Sequence, residues 1–449
     1  MVTAAIELCD SALAMVRGNE LLAAGPGHAA LVDGRLVFGN DARVQLRLNP
    51  RQSQRAFWQG LSVTALVAPL GTATTTADLV QGQLASMCGN NTDGTAVIFV
   101  VPAGWSVEQL GLLLGIAAEL GLPVAGLVDA AVAASRRPCP GRALWHLVAG
   151  LQQTWVSRIE QTSGVAALGV RHGIEQFGID SLERGAAAYV ASRFIECSRF
   201  DPLHDARSEQ QLFDQLEHWM AQAARQEVVA LALDYGGHRH EATLEAAALR
   251  ERIARLCTPL TQRLRTLISP REPAVLQVHH RLAEFPGVIE SLLALPGCAI
   301  LQLEPGAAAR GALRLRAAPA DSHALTTALA FDQAPLEGTT LPTALGSRAP
   351  THLVFGSRAW RFGERPLAAG TAPEPGEYGL PLVGNAISRR HFTIAREAGQ
   401  VVLHDQSRYG TRLNGHPVTG AAVLQAGDVI SVGQPSLAFT VVAEDSDAA

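Results

Sequence analysis

Residues 386–415 read AISRRHFTIAREAGQVVLHDQSRYGTRLNG. The stretch carries two short β-type runs, HFTIARE and QVVLHD, with polar loops around them. Ser388 and His391 stand three apart in the first loop. Asp405, Ser407, Gly410, Thr411, Asn414 and Gly415 build the second. A hydroxyl and backbone amides in such loops offer short donors to phosphate oxygens, and glycines allow the positive-φ corners that aim them. The same residue types also close tight turns with no ligand at all.

Working outward, every segment from Thr351 onward has the same texture. Short strands such as DVISVG and SLAFTVV are punctuated by Gly, Pro, Asn and Asp, and helix signals are missing. This predicts a small β-sandwich over residues 351–443, ending in an acidic tail at 444–449. Upstream, residues 316–350 lose periodicity and collect Pro, Thr, Ala and Gly, which reads as a linker. Residues 1–315 alternate apolar β-type runs with helical blocks: TAVIFVVPA (95–103), SVEQLGLLLGIAAELG (106–121), LPVAGLVDA (122–130). That alternation predicts an α/β fold with a mixed sheet.

The C-terminal module resembles a forkhead-associated (FHA) domain, on the SRRH loop, the DQSRYGTRLNG turn and the LQAGDVISVG hairpin with Gly427 and Asp428. The resemblance implies a β-sandwich whose end loops bind phosphothreonine peptides. It places Ser388, Arg389, Arg408, Tyr409, Thr371 and Asn414 at the peptide and makes His391, Gly410 and Thr411 structural. Two departures matter. The arginine that family members carry after a glycine ahead of the SRRH loop falls on Thr371, after Gly370, since the GER at Gly363–Arg365 lies too far upstream. The asparagine that holds the peptide backbone is replaced by Tyr409, and Arg408 beside it offers a substitute cation, bidentate to phosphate. An unphosphorylated protein partner on the same loops is the alternative.

The segment TAVIFVVPAGWSVEQLGLLLGIAAELGLPVAGLVDAAVAAS resembles the central part of the actin and heat-shock-chaperone ATPases, with Asp129 as the acidic residue before an alanine run. The resemblance implies two lobes around a nucleotide cleft, a fold extending over residues 1–315. Such sites need glycine where backbone meets phosphate and ribose. Here the first hairpin reads Glu7, Leu8, Cys9, Asp10, Ser11, with cysteine for the key glycine. The second keeps only Gly150, with Val148 at an aspartate position, and the adenosine loop has His279 and His280 for paired glycines. The cleft is therefore expected to be degenerate, with Glu7, Asp10 and the histidines intruding and no cofactor; ATP with magnesium belongs to the rival reading, an ATP-binding switch. A phosphate hairpin could also be read in LALDYGGHRHEATL (231–244), but Asp234-Tyr-Gly-Gly there reads better as a β-turn.

Composition narrows the function classes. The chain has 449 residues, 48% hydrophobic and 17% charged, enough for two or three cores. All 36 basic residues are arginine, so no lysine chemistry is available. A net charge of −5 without a dense basic run argues against nucleic acid and anionic membranes. The apolar stretch at 111–134 is interrupted by Glu119, Pro123 and Asp129, which argues against membrane insertion. Six scattered cysteines without CxxC predict reduced core thiols and a cytoplasmic protein, and the histidines have no metal-ligand spacing. The sequence thus predicts a non-enzymatic adaptor: a degenerate actin-like platform joined to an FHA-type sandwich that recruits a protein partner.

Overall fold

The computed structural model describes residues 3–89, 95–269, 272–315, 324–336, 350–355, 358–373, 378–426 and 428–443. The tail at 444–449, Gly427 and most of the 316–350 stretch lie outside them. The chain forms two compact units. One comprises Met1–Thr258, Val275–Ile289 and Ile300–Leu341; the other gathers Pro259–Ala274 and Glu290–Ala299 with Pro342–Ala449. This division interleaves along the chain more than the change of texture near residue 315 suggests.

The α/β region is built on two six-stranded sheets that share the order of five strands, the sixth lying at opposite edges of the two. In one, Thr3–Glu7, Leu13–Arg17 and Glu20–Gly25 form an antiparallel meander. Ala96–Val101 then pairs parallel to the other side of Thr3–Glu7, and Val124–Asp129 parallel to Ala96–Val101. In the other, Ala143–Ala149, Thr154–Thr162 and Val165–Ile174 form the meander, with Ala274–Val278 and Cys298–Gln302 beyond the first strand. Central strands buried on both faces must be apolar throughout, and all six residues of AVIFVV at Ala96–Val101 are buried. The helix Val107–Glu119 that follows starts at a Ser106–Gln109 capping box and leads into Val124–Asp129. Residues 111–134 are thus helix, turn, strand and short helix, and no described helix is long and apolar enough to cross a membrane.

Two expectations meet the structure here. Within the stretch read as a linker, Leu325–Thr326 pairs with Val124–Asp129, and Ala328–Ala330 pairs with Val165–Ile174, so each sheet gains an edge strand. Backbone pairing needs no side-chain pattern, which is why the Ala- and Thr-rich composition hid it. Asp234-Tyr-Gly-Gly, in contrast, is a hairpin corner. Val228–Tyr235 pairs with His238–Glu245, and Gly236 and Gly237 both have positive φ, as a two-residue turn of this hand requires.

The sandwich stacks a six-stranded sheet (Arg358–Arg361, His352–Phe355, Leu437–Val442, Val429–Val432, Arg412–Leu413, His416–Pro417) on a five-stranded one (Tyr378–Pro381, Leu367–Gly370, Phe392–Glu397, Gln400–Asp405, Ala421–Val423). Leu353, Leu367, Phe392, Ile394, Leu403, Ile430, Phe439 and Val441 fill its core, with Phe392 and Phe439 edge to face at 6.0 Å. Five of the six cysteines are buried and all are free thiols; Cys197 alone is exposed.

In the first unit the helix Ala307–Ala312 packs against Ala130–Ala134 so closely that a Cβ on Gly311 would lie 1.8 Å from the Ala133 carbonyl oxygen. Gly311→Ala is expected to cost about 1–3 kcal/mol through overpacking. Gly115→Ala, on an exposed helix position with open space around it, is expected to stabilise by up to ~1 kcal/mol. Circular-dichroism melts of the two variants should move in opposite directions.

Candidate functional site

The pairing of Phe392–Glu397 with Gln400–Asp405 sets Phe392 opposite Asp405, which brings the loops before and after this hairpin to the same end of the sandwich. His391 joins them. Its ring is fully buried, and Nδ1 accepts the Ser388 N–H at 3.0 Å. Nδ1 is therefore unprotonated, so Nε2 carries the hydrogen and donates to the Gly410 carbonyl at 3.3 Å. Burial pushes the imidazole below its ordinary pKa, partly offset by the Gly410 bond, and keeps it neutral, the form this geometry needs.

The second loop is wound around Asp405. One carboxylate oxygen accepts the Ser407 N–H at 3.0 Å and the Thr411 hydroxyl at 2.8 Å; the other accepts the Thr411 N–H at 3.4 Å. The Ser407 hydroxyl accepts the Gly410 N–H at 2.7 Å, at a corner where Gly410 has φ +84°. Burial would raise the Asp405 pKa, but these bonds favour the charged form more and hold it below the ordinary carboxylate value. The Arg408 N–H donates to the Ser388 hydroxyl at 3.0 Å, so the two loops touch directly as well as through His391.

Thr371 lies at the same place. Its N–H donates to the Ser388 carbonyl at 3.1 Å, and Ala372 N–H to the Arg389 carbonyl at 3.0 Å. A Cβ on Gly370 would sit 2.1 Å from that Arg389 oxygen, so only glycine allows this approach. Thr371, Arg389, Arg408 and Tyr409 are exposed, Tyr409 at 66%. Among the described residues neither the Arg389 nor the Arg408 guanidinium has an acidic partner. Thr371, Ser388, Arg389, Arg408 and Tyr409 thus come together, while His391, Gly410 and Thr411 sit in the bracing. Asn414 is the exception and is corrected here. It is buried, its side-chain N–H donates to Asp428 at 2.8 Å, and its carbonyl accepts the Val429 N–H at 2.9 Å. An amide spent on both sides is a hairpin brace rather than a peptide contact. Asp405, named in the sequence only as a turn residue, is the acceptor the second loop is wound around; its spacing to Ser407, an Asx-turn signature, could have assigned it that role.

In the first unit, Glu7 is buried against His279, Oε1 to Nε2 at 3.2 Å, and its other oxygen accepts the Ala309 N–H at 3.4 Å. The His280 ring lies 4.3 Å from that of His279, and burial, with His279 adding to it, pushes His280 down to about 2. Asp10 accepts the Leu151 N–H at 2.9 Å, and a Cβ on Gly150 would stand 2.6 Å from the same carboxylate oxygen. The Ser11 hydroxyl donates to the Ala149 carbonyl at 2.6 Å. Asp129 is committed elsewhere: it caps Ala130–Ala134 through the Ala131 and Val132 N–H groups and pairs with Arg171, a partner 42 residues away that no motif announced. The turns at 7–11 and 149–151 are therefore bonded to one another.

Residues 377–433 match the FHA domain family. The matched segment contains both loops, His391 and the Asp405 turn, and an FHA domain implies phosphopeptide-mediated protein interaction. No curated protein matches the chain.

Because Asp405 has a depressed pKa, its stabilising contribution is present above the unfolded carboxylate value near 3.9 and is lost as pH falls through the lower folded value. Asp405→Ala leaves the Thr411 and Ser407 donors without an acceptor and is expected to cost about 1–3 kcal/mol at pH 7. Denaturant titrations should show this deficit at pH 7 shrinking as wild type and variant are both acidified.

Proposed function

We propose that the FHA loops bind a phosphothreonine peptide, with Arg408 and Arg389 supplying the positive charge that Thr371 does not. The observation that carries this reading is the pair of exposed guanidinium groups, Arg389 and Arg408, with no acidic partner among the described residues, on a backbone fixed by His391 and Asp405. A guanidinium grips phosphate bidentately, and a fixed backbone spares the entropy of ordering the loops on binding. Tyr409 at the asparagine position offers ring contact instead of backbone hydrogen bonds, so sequence preference around the phosphothreonine should be broad.

The partner so captured is brought to the first unit, which serves as a platform of degenerate actin-like fold that does not hydrolyse ATP. The five-strand order that its two sheets share supports that fold. The direct bonds between the 7–11 and 149–151 turns support the loss of nucleotide, since a triphosphate in such a fold would lie between two phosphate hairpins. The pocket lined by Asp10 and Gly150 has about 70 Å³, against the 300–1,000 Å³ of ordinary small-molecule sites, and a more open one of about 440 Å³ lies beside Leu151. An ATP-operated switch would need those turns to part.

Fluorescence anisotropy with matched phosphothreonine and unphosphorylated peptides tests the first part. Phosphorylated peptides are expected to bind more tightly, and Arg408→Ala to weaken them by about 1.5–3 kcal/mol with the melting curve unchanged. Equal binding of both peptide forms would make the loops a phosphate-independent docking surface. Calorimetry with ATP and magnesium tests the platform, which micromolar affinity or magnesium-dependent hydrolysis would overturn.

A further inference from the structure

A small pocket in the first unit is lined by Trp58, Trp105, Trp155 and Asp10, among others. Trp58 and Trp105 stack at 6.5 Å, and the Trp58 N–H is spent on the Gln83 side chain at 2.7 Å, so that residue turns only its ring system to the pocket. Trp155 is fitted between Gly104 and Gly173: a Cβ on the first would meet the indole at 2.3 Å and one on the second at 3.3 Å. At the rim the Gln59 amide donates to Gln153 at 2.9 Å. Aromatic linings of this kind are apolar yet carry negative π faces, which favours a cation over a neutral group of equal size.

Asp10 carries the charge to match. It is 7% exposed, and it accepts the Leu151 N–H on one oxygen and a further backbone bond from Ser11. Arg55, the cation that acts on it, is itself paired with Asp180. Glu7 is held by His279, and Cys9, beside Asp10, is pushed up to about 12 by burial and stays a neutral thiol. A buried carboxylate with no cation of its own is costly, and an incoming cation relieves that cost.

We propose that this pocket binds a methylated ammonium group. A guanidinium would ask for both carboxylate oxygens, and one is already spent, whereas an alkylated ammonium needs only charge and aromatic surface. The space of about 70 Å³ suits a head group of this size. Since the chain contains no lysine, the ammonium comes from another molecule, either a methylated lysine of a partner protein or a free quaternary amine. The site is separate from the phosphopeptide loops and does not depend on them.

Tryptophan fluorescence of the full chain, titrated with tetramethylammonium and with the neutral isostere neopentyl alcohol, tests the assignment. Saturable quenching by the cation alone is expected. Burial, with Asp180 adding to it and the Leu151 bond and Arg55 opposing, lifts the Asp10 pKa to about 6, so affinity should rise as pH passes upward through that value. Asp10→Asn keeps an acceptor for Leu151 and is expected to weaken binding roughly tenfold or more, as is Trp105→Ala, which leaves the charge in place. A trimethyllysine peptide binding more tightly than tetramethylammonium identifies a protein segment as the source; equal affinity identifies a free amine. No saturable response, equal binding of the alcohol, or unchanged affinity in folded Asp10→Asn would overturn the proposal. If that variant does not fold, a pH-independent affinity of the wild type would do so instead.

Discussion

One buried, neutral imidazole ties together the two loops at the end of the sandwich. His391 accepts from Ser388 and donates to Gly410, so a single ring fixes the spacing of two loops that approach from opposite ends of a hairpin. The arrangement works only while the ring is uncharged, because a protonated Nδ1 could not accept the Ser388 N–H. Burial enforces that state. The ionised Asp405 does the complementary work inside the second loop, gathering Ser407 and Thr411 around an anion. The outer face is thereby left with hydroxyl, amide and guanidinium groups and no carboxylate of its own among the named residues.

The first unit solves the opposite problem. Where two turns face each other across a cleft, their polar groups need partners, and here they take one another: Ser11 bonds Ala149, Asp10 bonds Leu151, and Glu7 bonds His279. Buried polar groups satisfied in this way exchange ligand contacts for internal ones. The small pocket beside them is lined by Trp58, Trp105, Trp155 and Asp10.

Much of this was legible along the chain. The strands of the sandwich follow from HFTIARE, QVVLHD, DVISVG and SLAFTVV, because half-buried strands advertise themselves by apolar runs between turn residues. AVIFVV and its capped helix were equally plain. The gathering of Ser388, Arg408 and Thr371 could be expected from motif spacing. Asn414 misled, because an asparagine at a turn looks the same whether its amide faces solvent or a buried aspartate such as Asp428. The edge strands at Leu325–Thr326 and Ala328–Ala330 were hidden, since an edge strand is held by its backbone and needs little side-chain signal.

The sequence by itself therefore determined the local periods and the turns, all of which depend on residues within a few positions of one another. Tertiary structure alone decided the pairings across long distances: Arg171 with Asp129, Leu151 with Asp10, and Trp155 beside Trp58 and Trp105. These depend on which strand lies next to which, and the same carboxylate costs or contributes free energy according to the partner the fold sets beside it.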